Sequence, residues 1–243
     1  TYCKVSFNDF KITRLSWTLL AIQIIGASFV YILLLPFDPI VAQATFMCVF
    51  CPTATAAPVI TSMLGGSIAR VATFSIMSNL SVAILAPFMF SLMGNIGDLD
   101  FISQFATIGS RIMPLLVLPL LIAYLLRRFI PNASKALSSR QSLSFYLWAI
   151  GLFIVVGRAV TFVMESSYEK IPLIIVISFL SGLMCCIQFI IGRKIGAKNG
   201  DTIAGGQALG QKNTILAVWM ALTYLNPLAS IGPAAYVFWQ NTI

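Results

Sequence analysis

Histidine is absent from the 243 residues, and charged side chains make up only 9% of them. The first absence removes the commonest protein ligand of zinc and the base of a serine–histidine pair. Acids number only seven, and each falls in a loop or near a helix end, so no buried aspartyl pair is available for intramembrane proteolysis. Five cysteines, Cys3, Cys48, Cys51, Cys185 and Cys186, lie mostly in apolar runs without paired metal spacing. That pattern argues against a zinc centre or a disulfide scaffold. The chain is not expected to be an enzyme, and no cofactor or metal is implied.

What the chain has instead is apolar surface. Hydrophobic residues make up 59% and the mean hydropathy is +0.95, more than a water-soluble domain of this size could bury. A bilayer-spanning helix needs roughly 20 apolar residues, and eight stretches qualify: Leu15–Leu35, Ile40–Leu64, Val71–Met93, Phe105–Leu126, Ser142–Met164, Ile171–Ile191, Thr202–Leu225 and Pro227–Ile243. The fold class is an all-α, multi-pass membrane protein with the lipid bilayer as its solvent.

The net charge of +8 is a topology signal. Alternate loops gather Lys4, Lys11, Arg14, Arg70, Arg127, Arg128, Lys135, Arg140, Arg193, Lys194 and Lys198 on one side. The other side carries Arg111 and Lys170 against Asp38, Asp98, Asp100, Glu165 and Glu169. This predicts an integral plasma (inner) membrane protein whose Thr1 end is cytoplasmic, and it removes nucleic acid as a partner. Two basic residues remain over. Arg158, some six residues before the end of its span, reads as snorkelling towards the interface and Glu165. Its functional alternative is a contact for a substrate anion in an outer vestibule. The second is Lys212.

Two spans are interrupted. In the second, Cys51-Pro52-Thr53-Ala54-Thr55-Ala56-Ala57-Pro58 places two prolines near mid-span, each removing a helix donor. In the seventh, Gly205-Gly206 and Gly210 weaken the helix before Lys212. Pro52, Pro58, Gly206 and Gly210 are therefore the expected helix-break residues. Paired interruptions in corresponding positions of two halves point to a transporter's binding site. The correspondence holds if residues 105–243 form one five-helix repeat and residues 15–93 end the other. That arithmetic predicts a single transporter domain over 1–243 whose intact form has ten spans, two of them preceding Leu15. The opening Thr1 fits that expectation, and TYCKVSFNDFKITR is too polar for a signal peptide.

CPTATAAPVITSMLGGS (Cys51–Ser67) with NLSVAILAPF (Asn79–Phe88), and GQKNTILA (Gly210–Ala217) with VFWQN (Val237–Asn241), resemble the two crossed-helix motifs of the bile acid:sodium symporter family. The resemblance implies a ten-helix inverted-repeat fold with two crossed discontinuous helices, and symport of organic anions by alternating access. It also implies that Gln23 faces the ion site and that Asn79 falls near a family hydroxyl position. The chain departs from the pattern in reading Ala57-Pro58 where the family usually has Ser-Asn. It reads Ala208, then Lys212-Asn213, where the family usually has Glu, then Gln-Asn.

Lys212 lies about ten residues, roughly 15 Å, into a helix that starts near Thr202, too deep for simple snorkelling. It is expected to replace the bound cation, its ammonium satisfying carbonyls freed by both breaks, with Gln23 and Asn79 beside it. Sodium coupling is then expected to be weak or absent. An amine held away from water can also shed its proton, so sodium and the proton are both candidate coupling ions. Asn213, Thr214, Thr53, Thr55 and Thr61 are the expected contacts of a small organic anion, such as a bile-acid-like molecule or a keto acid. The competing reading for each threonine is a bond to its own preceding carbonyl. Rival functions on the same fold are a sodium symporter with a rearranged ion site, a uniporter or channel, and a sensor that binds without flux.

Overall fold

The computed structural model describes residues 11–93, 100–132 and 168–243, with isolated positions between 146 and 164. Arg158, Glu165 and most of the expected span Ser142–Met164 lie outside the described residues. Among those described, the chain is helical without strands.

The first helix, α1 (Arg14–Leu34), buries Leu15, Leu19, Gln23 and Ala27 along one stripe and exposes Trp17, Ile25, Phe29 and Ile32 on the other face. Exposed large apolar residues on a 21-residue helix are what a lipid-facing element presents. α2 (Pro39–Phe50) starts where Asp38 accepts bonds from the backbone N–H groups of Ile40 and Val41 at 2.7 and 2.9 Å, with Pro39 in the first turn. Every residue from Val41 to Phe50 is buried, so α2 runs through the middle of the molecule. After a gap come α3 (Ala57–Met63) and α4 (Ile68–Met93), which contains Pro87.

α5 (Phe101–Phe129), capped by Asp100, covers the expected fourth span and ends on Arg127 and Arg128. α6 (Ile171–Lys198) follows a short turn of 3₁₀ helix. α7 (Thr202–Gly210) and α8 (Thr214–Tyr224) divide the expected seventh span, and α9 (Ile231–Thr242) ends the chain. By length and composition α1, α4 and α6 can each cross a membrane; α2 and α8 are apolar but shorter.

α2 packs against α1, α6, α8 and α9. The tightest pairing is α6 on α7, where glycines let two backbones meet. A Cβ built on Gly205 would lie 2.6 Å from Gly196 Cα and would collide with Gly192 O. Small residues at such a seam are how helices approach closely in lipid. Gly206 therefore sits inside α7 rather than in its break, against the aliphatic stem of Arg193, and Gly210 closes α7 against the Phe189 ring. For Gly206 the expectation of a break is corrected accordingly, since its missing Cβ makes room for a neighbour while the backbone stays helical; Gly210 is the last residue of α7, directly before the interruption at Gln211–Asn213.

Candidate functional site at the helix crossing

The gap between α2 and α3 starts at Cys51, whose N–H still reaches Met47 O, and its second residue, Pro52, has no N–H, so Cys48 O loses its i+4 donor. The next two donors turn elsewhere: Thr53 N–H donates to Ser78 Oγ at 3.3 Å and Ala54 N–H to Gln211 O at 3.0 Å. The carbonyls at the end of α2 would thus be orphaned at membrane depth, where each unpaired group costs several kcal/mol. Each is instead met by a donor from another element. Gln188 Nε2, on α6, reaches Cys48 O at 3.2 Å, and Lys212 Nζ reaches Val49 O at 2.8 Å. Gln23 Nε2, on α1, reaches Phe50 O at 2.8 Å and Cys51 O at 3.1 Å, while Asn213 N–H donates to Pro52 O at 2.8 Å.

The second gap, Gln211 to Asn213, lies against the first. Thr53 and Lys212 form an isolated antiparallel bridge, closed by the two bonds Ala54 N–H to Gln211 O and Asn213 N–H to Pro52 O. Two interrupted helices thereby share one short piece of extended pairing at their crossing. The freed carbonyls of α7 take hydroxyl donors: Thr53 Oγ1 donates to Ala208 O at 2.7 Å and Tyr236 OH to Gly210 O at 2.9 Å. The Lys212 N–H donates to Gln240 Oε1 at 2.9 Å, and Gln211 Nε2 to Gln240 O at 3.1 Å. Asn213 caps α8, its Oδ1 accepting from Leu216 N–H at 3.3 Å.

Lys212 is 2% exposed and, among the described residues, is the one charged side chain in the buried set. Its ammonium sits at the C-terminal end of α2, where the helix dipole and the carbonyls freed from helix bonding both favour positive charge. Gln23, fully buried, also accepts from Ser78 Oγ at 2.9 Å, so its amide is used at both ends. Gln23, Ser78, Thr53 and Lys212 therefore meet at one crossing, contributed by α1, α4 and the two gaps.

The remaining residues singled out in the sequence fall into different places. Pro52 lies in the first gap; Pro58 is already in the first turn of α3, where a proline costs no bond. Asn79 is buried one position beyond Ser78, and its Nδ2 donates to Ser75 O at 2.7 Å on its own helix. Thr61 Oγ1 donates to Ala57 O at 2.8 Å, the bond to a preceding carbonyl that was its alternative reading. Thr214 is buried, Asn213 is half-buried and Thr55 is exposed beside the crossing. Sequence reasoning gave no role to Ser78, Gln188 and Tyr236, nor to Gln240, although the motif VFWQN contains it. A polar amide set in an apolar run, as Gln188 is in MCCIQFII, was the available signal, since such groups in a membrane helix need a partner.

Two comparisons with known proteins bear on this arrangement. The model of the SBF-like CPA transporter family (DUF4137) matches residues 4–236. No curated protein matches the chain.

Proposed function

The chain belongs to the SBF-like CPA transporter family, and from that premise we propose that it is a secondary transporter carrying an organic anion by alternating access, with Lys212 in the place of a bound cation. The observation that carries this reading is the contact of Lys212 Nζ with Val49 O in a setting that buries no carboxylate among the described residues. A sodium site needs several oxygen ligands of its own. Here the carbonyls from Cys48 to Pro52 already accept bonds from the protein, and one of the donors is an ammonium. A sodium ion would have to compete with these donors and sit beside a like charge. Coupling to sodium is accordingly weak or absent in this proposal.

The inverted-repeat arrangement, with residues 15–93 ending one repeat and 105–243 forming the other, is part of the same reading. It is supported by the positions of two amides. Gln23 on α1 and Gln188 on α6 each stand on the helix before an interrupted one, and each donates to carbonyls of the crossing. Thr55 and Asn213, which keep some exposure there, are the proposed polar contacts of the substrate, whereas the Thr53 and Thr61 hydroxyls are engaged with Ala208 O and Ala57 O.

The test is uptake of labelled organic anions into proteoliposomes holding the full-length protein, with sodium and pH gradients imposed separately. Sodium-independent uptake that Lys212→Gln abolishes is the expected result, and a dependence on the pH gradient would identify Lys212 as a proton carrier. Sodium-driven uptake that survives Lys212→Gln would overturn the proposal.

A further inference from the structure

The exposed side chains of α6 fall on one line. Phe179, Leu183, Ile187 and Ile190 follow one another at steps of four, four and three, which keeps them on a single face of the helix. Ile177, Ser181, Cys185, Gln188 and Gly192 are buried on the other. From Phe179 to Ile190 the exposed line runs roughly 16 Å, close to the hydrocarbon depth of one leaflet, about 15 Å. Its end is marked by charge. Arg193 and Lys194, both exposed, flank the line three and four residues beyond Ile190; the exposed Ala197 continues it, and Lys198 stands one turn past Lys194.

The acid in the turn that follows is already spent. Asp201 accepts from Ala204 N–H at 2.8 Å through Oδ1 and from Ser67 N–H at 2.9 Å through Oδ2. Arg70, at the start of α4, is likewise engaged, its Nη1 donating to Asn199 O at 2.8 Å. Arg193 is seated by its stem, since a Cβ built on Gly206 would come within 2.7 Å of its Cγ. We propose that this end of α6 binds an acidic phospholipid, its phosphodiester held between Arg193 and Lys194 over Ala197 and one acyl chain laid along Ile190, Ile187, Leu183 and Phe179. The guanidinium suits two phosphate oxygens at once, and the ammonium adds a point charge. A zwitterionic headgroup would bring its own cation to a corner that carries three; phosphatidylglycerol brings none. Orientation of the chain asks only for cations in this loop, whereas here they frame the lipid-facing line at the depth of a headgroup. The site is independent of what the protein carries.

The test titrates dioleoyl phosphatidylglycerol into the purified full-length protein in an uncharged detergent and follows the melting temperature, which rises with the occupancy of any site that only the folded state offers. Dioleoyl phosphatidylcholine and glycerol 3-phosphate serve as the neutral lipid and the chainless anion. Wild type is expected to melt higher in phosphatidylglycerol than in either. Lys194→Gln should raise the half-saturating lipid concentration about fivefold, and Arg193→Gln combined with it about 25-fold. Glutamine keeps the part of the Arg193 stem that rests on Gly206, and each variant is read against its own lipid-free melt. Lys11→Gln with Arg14→Gln removes two exposed cations from the start of α1 and should leave the response intact. No rise in wild type, an unchanged response in the α6 double variant, or an equal loss in the α1 double variant would overturn the site. A rise reproduced by glycerol 3-phosphate would overturn it too, as binding of a free anion.

Discussion

The gap between α2 and α3 holds a residue that has no proton to give, whereas the gap between α7 and α8 holds residues whose protons go elsewhere. Pro52 leaves Cys48 O without a local donor whatever surrounds it. Lys212 could have continued α7, but its N–H is taken by Gln240 Oε1 from α9. The repairs differ in kind as well. The end of α2 is met by long side chains from three other elements, Gln23, Gln188 and Lys212, and the end of α7 by the hydroxyls of Thr53 and Tyr236. One gap is therefore written into its own sequence, and the other is imposed by neighbours. The glycines beside the second gap serve the α6–α7 seam.

The sharpest way to break this comparison is Gly205→Leu. If the glycine served only to loosen α7, a better helix former would be tolerated. Placed against Gly192 O and Gly196, the side chain should instead cost several kcal/mol and remove most folded protein from a size-exclusion profile. Gly26→Ala, whose Cβ would meet only Val49 Cγ1 at 3.9 Å, is the tolerated control. Next in size is Gln23→Leu, which strips the donor from Phe50 O and Cys51 O together and should lower stability by about 2–4 kcal/mol, read from detergent melts. Tyr236→Phe tests the second gap, where the hydroxyl's bond to Gly210 O and the one it accepts from Gln188 Nε2 at 3.0 Å are both lost, and about 1–3 kcal/mol is expected. The smallest change in stability should come from Pro52→Ala, under about 1 kcal/mol, since the chain has already left the helix at Cys51, where ψ is 142°, and Gln188 keeps its bond to Cys48 O. If the gap matters for transport, uptake should fall in that variant while the melt stays near wild type.

Much of the fold could be read directly from the residues, because apolar length and interrupting prolines are local properties. α1, α4, α5 and α6 fall where apolar runs were marked, and the second and seventh runs do divide in two. The second gap falls where it was expected, around Lys212, but Gly206 lies inside the helix before it, because a glycine signals both weak helix propensity and close approach, and only a neighbour distinguishes them. Lys212 stood out because charge in an apolar run is rare. Its acceptor did not, since Val49 is an ordinary residue whose carbonyl matters only after Pro52 and the fold have freed it. Ser78, Gln188, Tyr236 and Gln240 escaped for the same reason. Their importance lies in carbonyls far away in sequence, and nothing in the spacing of one chain names those partners.

Those long separations also set an order of events during synthesis. The bond between Lys212 Nζ and Val49 O joins residues 163 positions apart, and that between Gln188 and Cys48 O joins residues 140 apart. When the ribosome has completed α2 and α3, the groups that will quench the end of α2 have not yet been made. Gln23 alone is already in place, emerging on the helix before. The nascent first half must therefore wait beside the insertion machinery or in contact with water, its backbone open, until α6 and the segment through residue 212 arrive. The α6–α7 hairpin, sealed glycine to glycine across a turn of three residues between Lys198 and Thr202, can form as soon as it emerges. The half of the crossing that is made last is thus the half able to assemble by itself, and it brings the missing donors with it.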